Sequence, residues 1–164
     1  MNKSTLATIL GTAALGFLKS SGSKNDGVRI EDIDELLEYA NDPNKAHLVT
    51  EVNLENNNLT SLPPEIGNLS NLKYLYLYIN NLTSLPPEIG NLTNLEVLDF
   101  ADNNLAYLPK EIGNLSHLEE LELDGTNIQM PSRNTIQYWM NNLKPDVLQK
   151  IFQNMKPSSQ LRRF

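Results

Sequence analysis

The sequence predicts an α/β repeat solenoid: a short curved stack with a parallel concave sheet of about four strands and helical caps at both ends. Three observations predict this class. Three blocks of 23 residues follow one another with nearly the same sequence, their apolar positions alternate as in short strands, and amphipathic segments flank the blocks on both sides. A chain of 164 residues is long enough for one such domain with modest extensions.

The repeated blocks begin at Leu59, Leu82 and Leu105, and they read LTSLPPEIGNLSNLKYLYLYINN, LTSLPPEIGNLTNLEVLDFADNN and LAYLPKEIGNLSHLEELELDGTN. Upstream, VTEVNLENNN from Val49 supplies the second half of a preceding unit. One block alone would leave its leucines in water, whereas stacked blocks bury one continuous core. We therefore expect the blocks to form successive turns of a solenoid.

Each unit contains a short stretch with the period-2 alternation of a strand. We expect four such strands to pair in parallel, at residues 50–55, 73–78, 96–101 and 119–124. A polar residue follows each strand at a position where an inward side chain can bond the backbone of adjacent turns, namely Asn57, Asn80, Asn103 and Thr126. Prolines on the return path forbid long helices and favour short 3₁₀ pieces, at Pro63, Pro64, Pro86, Pro87 and Pro109.

This pattern resembles the leucine-rich-repeat family, in its 23-residue type LxxLxLxxNxLxxLPxxIxxL, from about Val49 to Ile128. The resemblance implies a curved solenoid with a parallel sheet on its concave face, where members of the family usually bind other proteins. Thr126 departs from the pattern, which suggests that stacking stops at that unit.

Side chains that alternate with the core leucines should form the concave face. The three expected rows are Glu51, Tyr74, Val97 and Glu120; then Asn53, Tyr76, Asp99 and Glu122; then Glu55, Tyr78, Ala101 and Asp124. These rows place a tyrosine stripe on one strand between acidic strands. The predicted partner-binding residues are Glu51, Asn53, Glu55, Tyr74, Tyr76, Tyr78, Val97, Asp99, Asp102, Glu120, Glu122 and Asp124.

Tyrosine is stiff and amphipathic, and it is enriched where proteins bind one another. Acidic neighbours would attract a basic segment, whose Arg or Lys can stack on the rings. Alternatively, the acids only keep the surface soluble. The sheet measures roughly 14 by 17 Å, about 240 Å², by standard strand dimensions. A standard interface buries ~800 Å² per partner, so the ends or a second copy must add contacts.

Charge is distributed unevenly along the chain. Residues 30–128 hold eighteen acidic residues against three basic ones, whereas residues 1–29 carry a net +3 and residues 129–164 a net +5. An acidic centre argues against nucleic acid as a ligand of the central surface.

The expected organisation has five parts: an apolar segment at 1–20, a linker at 21–29, an N-terminal helical cap at 30–48, the repeats at 49–128, and a C-terminal helical cap with a basic tail at 129–164. In the first cap, one helical face should carry Ile30, Ile33, Leu36, Leu37 and Ala40. In the second, helices split at Pro145 should cover the last repeat with Trp139, Met140, Leu143, Val147, Leu148, Ile151, Phe152 and Met155.

Residues 1–20 combine a basic start with an apolar run of fourteen, TLATILGTAALGFL. Three interpretations remain open: a cleaved secretory signal, a retained anchor or assembly helix, and packing within the molecule. Fourteen residues are too few for the ~20 of a spanning helix. The protein would be secreted or periplasmic if the segment is cleaved, and associated with a membrane or an assembly if it is retained.

The sequence contains no H-x-x-x-H pair, no G-x-S-x-G turn, no phosphate-binding loop and no glycine-rich dinucleotide fingerprint. It has no cysteine, and His117 replaces an asparagine of the sibling repeats. We therefore expect no enzyme activity, no cofactor and no metal site. The prediction is a protein-interaction module that binds a basic protein or peptide segment. The alternative is a structural subunit of a larger assembly, held by its apolar N-terminus and basic C-terminal tail.

Overall fold

The computed structural model of the chain describes residues 27–155. Five strands form one parallel sheet in chain order: β1 (Val28–Ile30), β2 (Val49–Asn53), β3 (Tyr74–Tyr76), β4 (Val97–Asp99) and β5 (Glu120–Glu122). Three α-helices flank it: α1 (Ile33–Ala40) follows β1, and α2 (Arg133–Asn142) and α3 (Pro145–Asn154) follow β5. Short 3₁₀ helices at Ala46–Leu48, Pro64–Asn68, Pro87–Asn91 and Lys110–Asn114 complete the described elements.

The register of the sheet follows the repeat. From β2 to β5 the paired residues of neighbouring strands lie 23 positions apart, as in Val52, Leu75, Leu98 and Leu121. These four side chains are at most 3% exposed. The 3₁₀ helices after the prolines stack on the opposite side of the core, because the fixed φ of proline favours a tight turn over a longer helix.

Buried asparagines connect adjacent turns, as the sequence predicts. Asn80 Oδ1 accepts from the backbone N–H of Asn57 and Leu59, at 3.1 and 2.9 Å, and its Nδ2 donates to the Leu54 and Leu77 carbonyls. Asn103 makes equivalent bonds one turn later, accepting from the Leu82 N–H and donating to the Leu77 carbonyl. The other two predicted positions bond within their own turns instead: Asn57 Nδ2 donates to the Glu55 carbonyl at 2.9 Å, and the Thr126 hydroxyl donates to the Leu123 carbonyl at 2.6 Å. These side chains satisfy backbone groups that no strand ladder reaches.

A second polar ladder, which the sequence did not predict, precedes the strands. Asn71 Nδ2, Asn94 Nδ2 and His117 Nδ1 each lie 2.7–2.8 Å from the backbone carbonyl 24 residues earlier. Lys144 Nζ ends the series at 3.3 Å from the His117 carbonyl. The histidine thus takes over the structural hydrogen bond of the asparagine that it replaces.

The N-terminal end of the stack differs from the prediction in one respect. Ile30 is buried in a strand, not on the face of the cap helix, because β1 pairs with β2 and adds a fifth strand to the predicted four. Residues 28 and 29 of this strand fall at the end of the segment predicted as a linker, and Ile30 is the first residue of the predicted cap. Helix α1 begins after Asp32, whose side chain accepts from the N–H groups of Asp34 and Glu35.

The C-terminal cap is a pair of helices that divides at Pro145, as the sequence predicts. Trp139 is fully buried, and its indole N–H donates to the Lys110 carbonyl at 3.0 Å. Pro145 is the first residue of α3, where its missing N–H costs nothing. Two residues expected to cover the last repeat are instead exposed, Met140 by 55% and Phe152 by 40%, because they lie on the outer faces of their helices.

In the described range of the chain, no helix is long and apolar enough to cross a bilayer. The apolar segment at 1–20 and most of the predicted linker lie outside the described residues, as does the basic tail after Met155.

Candidate functional site

The strand register brings the predicted binding residues together in rows across the sheet. Glu51, Tyr74, Val97 and Glu120 are successive partners in one row, and Asn53, Tyr76, Asp99 and Glu122 are successive partners in the next. The third row lies beyond the strand ends, where the Tyr78 and Ala101 carbonyls accept from the N–H groups of Asn56 and Ile79. The positions of these side chains in rows across the sheet therefore agree with the prediction.

The three tyrosines are half-buried, so they project less into solvent than alternation alone suggests. The Tyr74 hydroxyl donates to Glu96 Oε2 at 3.2 Å. The Tyr78 hydroxyl is hydrogen-bonded to Glu55, which raises the pKa of that phenol, with burial adding to the effect. Carboxylates thus hold the outer two rings in place.

Tyr76 is the central ring of the stripe and differs from the other two. Within residues 27–155, no group forms a hydrogen bond to its hydroxyl. Burial raises the pKa of this phenol, and the carboxylates of Glu51 and Glu120 raise it further, so the ring stays neutral at physiological pH. A partner that binds here therefore meets one unengaged hydroxyl between two anchored rings.

Asp99 lies beside Tyr76 in the same row. Its Oδ1 accepts from the Ala101 N–H at 3.0 Å, just as Asn53 Oδ1 accepts from the Glu55 N–H at 3.0 Å. Burial raises the pKa of the Asp99 carboxyl despite this hydrogen bond, and nearby Glu122 adds to the rise. A cation brought to this position would stabilise the ionised carboxylate.

Cations from β1 and α3 neutralise the two outer edges of the acidic face. Arg29 of β1 lies 3.2 Å from Glu51 of β2. At the other edge, Lys150 of α3 lies 2.6 Å from Glu122 and 3.2 Å from Asp124. The basic ends and the acidic centre, which are separate regions of the sequence, therefore meet in the structure.

The remaining acids form the centre of the face. Within the described part of the chain, four of the predicted binding carboxylates have no salt-bridge partner: Glu55, Asp99, Asp102 and Glu120. Three of the four lie on β4, β5 or just beyond, on the side of the tyrosine stripe that faces the C-terminal cap. The negative charge available to a partner is therefore central and next to Tyr76.

Ile79 completes this surface, although no sequence signal pointed to it. The third residue after the end of each strand from β2 to β5 has a left-handed backbone, with φ of 53° at Asn56, 55° at Ile79, 51° at Asp102 and 77° at Gly125. Asn, Asp and Gly tolerate that conformation, but a β-branched residue is strained in it. The Ile79 side chain is 47% exposed, beside Tyr78 at the end of the stripe.

The described residues contain no cluster of three or more His, Cys, Asp or Glu side chains that could hold a metal ion. A cleft of about 430 Å³ lies between α1 and the first repeat, lined in part by Asn41, His47 and Asn68. Asn68 Nδ2 already donates to the Ala40 carbonyl at 3.0 Å, and Asn41 Nδ2 to the Leu37 carbonyl at 2.8 Å. Amides in this cleft thus stabilise the cap, and the concave face is the better candidate site.

Comparison with solved structures places this architecture among known solenoids. A leucine-rich-repeat protein of Leptospira interrogans is 43% identical and superposes with a TM-score of 0.54, covering 60% of this chain and 24% of that one. The plant peptide hormone receptor RGFR1, solved in complex with RGF2, is 27% identical with a TM-score of 0.50, covering 79% of this chain and 18% of the receptor. The chain thus spans a quarter or less of each of these proteins.

No curated protein sequence matches the chain. A protein family does: residues 48–161 match the family described as "Leucine-rich repeat region", which is more than half of the chain. Together with the stacked 23-residue turns and the parallel sheet, this match identifies the chain as a member of the leucine-rich-repeat family.

Proposed function

We propose that the chain is a non-catalytic protein-interaction module that binds a basic protein or peptide segment on its concave face. The observation that carries the proposal is the central row of the sheet, where the unpartnered Tyr76 hydroxyl lies beside the partly buried Asp99 carboxylate. Rigid aromatic rings lose little conformational entropy on binding, and an Arg or Lys can stack on a ring while it pairs with a carboxylate.

The anchored rings define the proposed binding mode. Tyr74 and Tyr78 are held by Glu96 and Glu55, so both can contact a ligand without first being ordered. Val97 offers a half-buried apolar surface beside Tyr74, and Ile79 offers an exposed one beside Tyr78. These features suit a segment in which basic residues are interspersed with apolar ones.

Similarity to a receptor supports the proposal. RGFR1, with which this chain shares its fold at 27% identity, is described as a peptide hormone receptor in complex with RGF2. This chain covers 18% of that receptor, so the likeness concerns the repeat scaffold. The contacts that would select a basic segment are argued from the residues of this chain alone.

A structural role in a larger assembly is the second candidate, and one observation favours it. Tyr107 and Met130 occupy equivalent positions 23 residues apart and are 64% and 47% exposed. The Gln129 N–H donates to the Ala106 carbonyl at 2.8 Å, so the two turns lie side by side. Earlier repeats have Ser61 and Ser84 at these positions. An apolar pair on the flank of the solenoid is suited to contact a second protein.

Selection from a displayed library of random peptides tests the proposal without a known partner. The peptides selected by the full chain are compared with those selected by two variants, Tyr76→Ala and Tyr107→Ala. The second variant is a matched control, because it removes a tyrosine outside the concave face. We expect the chain and the control to enrich sequences rich in Arg and Lys, and Tyr76→Ala to lose that enrichment. Basic enrichment that survives Tyr76→Ala but is lost with Tyr107→Ala would favour the flank and the structural role.

A further inference from the structure

We propose that the basic segment at residues 156–164 binds the concave face of its own chain and competes there with an external partner. The inference rests on the proposed function, because it assigns an intramolecular occupant to the same surface. The segment itself lies outside the described residues. The course of α3, the length of the segment and the charge of the segment support this contact.

Helix α3 delivers the chain to the edge of the acidic face. Lys144, just before α3, lies 3.0 Å from Glu119, the residue before β5, and Lys150 lies 2.6 Å from Glu122 at the end of β5. The helix therefore runs along β5 in the strand direction. It already places one cation on the face, and the hydrogen bond to Glu122 raises the pKa of the Lys150 ammonium, so this cation stays charged.

The segment is long enough to reach the centre of the face. Met155 lies five positions after Lys150, which carries the chain ~7.5 Å farther along the helix direction. Nine residues can span ~30 Å when extended. Two strand spacings, ~10 Å, separate β5 from β3. Tyr76 is thus well within reach of residues 156–164.

The chemistry of the segment matches that of the face. KPSSQLRRF contains three basic residues and no acidic one, with Leu161 and Phe164 on either side of the arginine pair. Opposite it, Asp99, Asp102 and Glu120 have no salt-bridge partner among residues 27–155. The apolar side chains of the segment can pack against the tyrosine stripe while the arginines pair with these carboxylates.

Tethering makes even weak contacts effective. A short linker gives the segment a local concentration of order mM at the face, so an intrinsic affinity in that range is enough for partial occupancy. A partner would then bind more weakly to the full chain than to a variant whose residues 156–164 no longer bind the concave face. Because the contacts are largely electrostatic, salt should release the segment.

A paramagnetic label tests the occupancy directly. The sequence has no cysteine, so Gln160→Cys supplies a single attachment site for a nitroxide. We expect the label to broaden the amide signals of Tyr76 and Val97 on the concave face, and to leave those of Gly67 and Gly90 on the opposite side sharp. Adding Arg162→Glu and Arg163→Glu should abolish the broadening, whereas the control Arg133→Glu on α2 should not.

Two results would overturn the inference. One is broadening that shows no preference for the concave face or survives the charge reversal. The other is broadening of unlabelled, ¹⁵N-enriched chain by a labelled second copy, since that places the segment on a neighbouring molecule.

A competition experiment separates this inference from the proposed function. The probe is a synthetic peptide with the sequence KPSSQLRRF, added to the full chain and to its Arg162→Glu, Arg163→Glu variant. We expect the peptide to bind the variant at least about 5-fold more tightly, because the tethered segment no longer competes. If the peptide binds neither protein while library-selected basic peptides bind both equally, the intramolecular contact is refuted and the proposed function stands.

Discussion

At the residue scale, each turn depends on a few side chains at fixed positions. Asn80 and Asn103 satisfy buried backbone groups, and Asn56, Asp102 and Gly125 tolerate the left-handed backbone that ends each strand. Ile79 breaks this rule by placing an exposed, β-branched side chain at a strained position next to the tyrosine stripe. Strain of this kind is often retained where a side chain contributes to binding.

Replacing Ile79 with Asn should therefore stabilise the fold. Relief of the left-handed strain should raise the free energy of unfolding by about 1 kcal/mol. The reverse change at the equivalent position, Asn56→Ile, should lower it by a similar amount. Urea unfolding of both variants measures the difference. A loss of stability in Ile79→Asn would show that packing of the isoleucine outweighs the strain.

Asp99 should make stability depend on pH. Its pKa is raised in the folded state, so the native protein holds the proton more tightly than the unfolded chain does. The folded state consequently loses stability as pH rises through the native pKa. Asp99→Asn removes this cost, and its side-chain oxygen can still accept from Ala101, as Asn53 does from Glu55.

We expect Asp99→Asn to be more stable than the wild type at pH 7. The difference should shrink as pH falls toward 3.8, the ordinary pKa of aspartate. The wild-type carboxyl then becomes protonated, so it is neutral like the asparagine side chain of the variant. Thermal melts of the two proteins across this pH range test the sign. A variant that is less stable at pH 7 would mean that the ionised carboxylate contributes favourably to the fold.

At the scale of elements, the solenoid is a series of short strands whose stability comes from the leucines between them. The central strand β4 has neighbours on both sides, and Leu98 is fully buried between Leu75 and Leu121. Strands β3, β4 and β5 have three residues each, so hydrogen bonds along a single pair of strands contribute little on their own. Stacking of one turn on the next is therefore the unit of stability.

Leu98→Ala should cost about 2–5 kcal/mol of unfolding free energy, because a buried side chain is removed from a tightly packed stack. Urea unfolding measures the loss, and Val97→Ala on the half-buried face of the same strand serves as the matched control, with a smaller effect. A loss below about 1 kcal/mol in Leu98→Ala would contradict the stacked core.

Repeat periodicity explains why most elements could be predicted. A spacing of 23 aligned Leu75 with Leu98 and Tyr74 with Val97, and the structure confirms both pairs. Strand β1 escaped detection because Val28–Ile30 lacks the leucine pattern and is recognisable only by its pairing with β2. The exposure of Met140 and Phe152 could not be predicted either, because it depends on how the two cap helices pack against the last repeat.

The candidate site was predictable only in part. Alternation identified which side chains share a face, but ion pairs between a cap and the sheet, such as Lys150 with Glu122, join residues that no repeat relates. Nor could the sequence reveal that Tyr74 and Tyr78 have hydrogen-bond partners while Tyr76 has none within residues 27–155. These differences set the centre of the proposed binding surface.

At the scale of the whole molecule, the charges of the caps and the sheet belong to one electrostatic surface. Arg29 and Lys150 neutralise the edges of the concave face and leave its centre negative. Such a field should steer a basic segment toward Tyr76, and the association rate should fall as salt shortens the ~10 Å screening length at 0.1 M. Because the sheet is small, contacts at the ends must supply part of any tight complex.

The central claim is that the concave face binds a basic segment through Tyr76 and Asp99. The most direct measurement is the affinity of one library-selected basic peptide for the wild type, Tyr76→Ala and Asp99→Lys. Tyr76→Ala should weaken binding by about 1–2 kcal/mol with little change in melting temperature, as expected for a central aromatic anchor. Asp99→Lys should also weaken binding, because it slows the association of a basic peptide and removes the carboxylate that pairs with the cation of the peptide. Unchanged affinity in both variants would contradict the claim and place the binding surface elsewhere on the molecule.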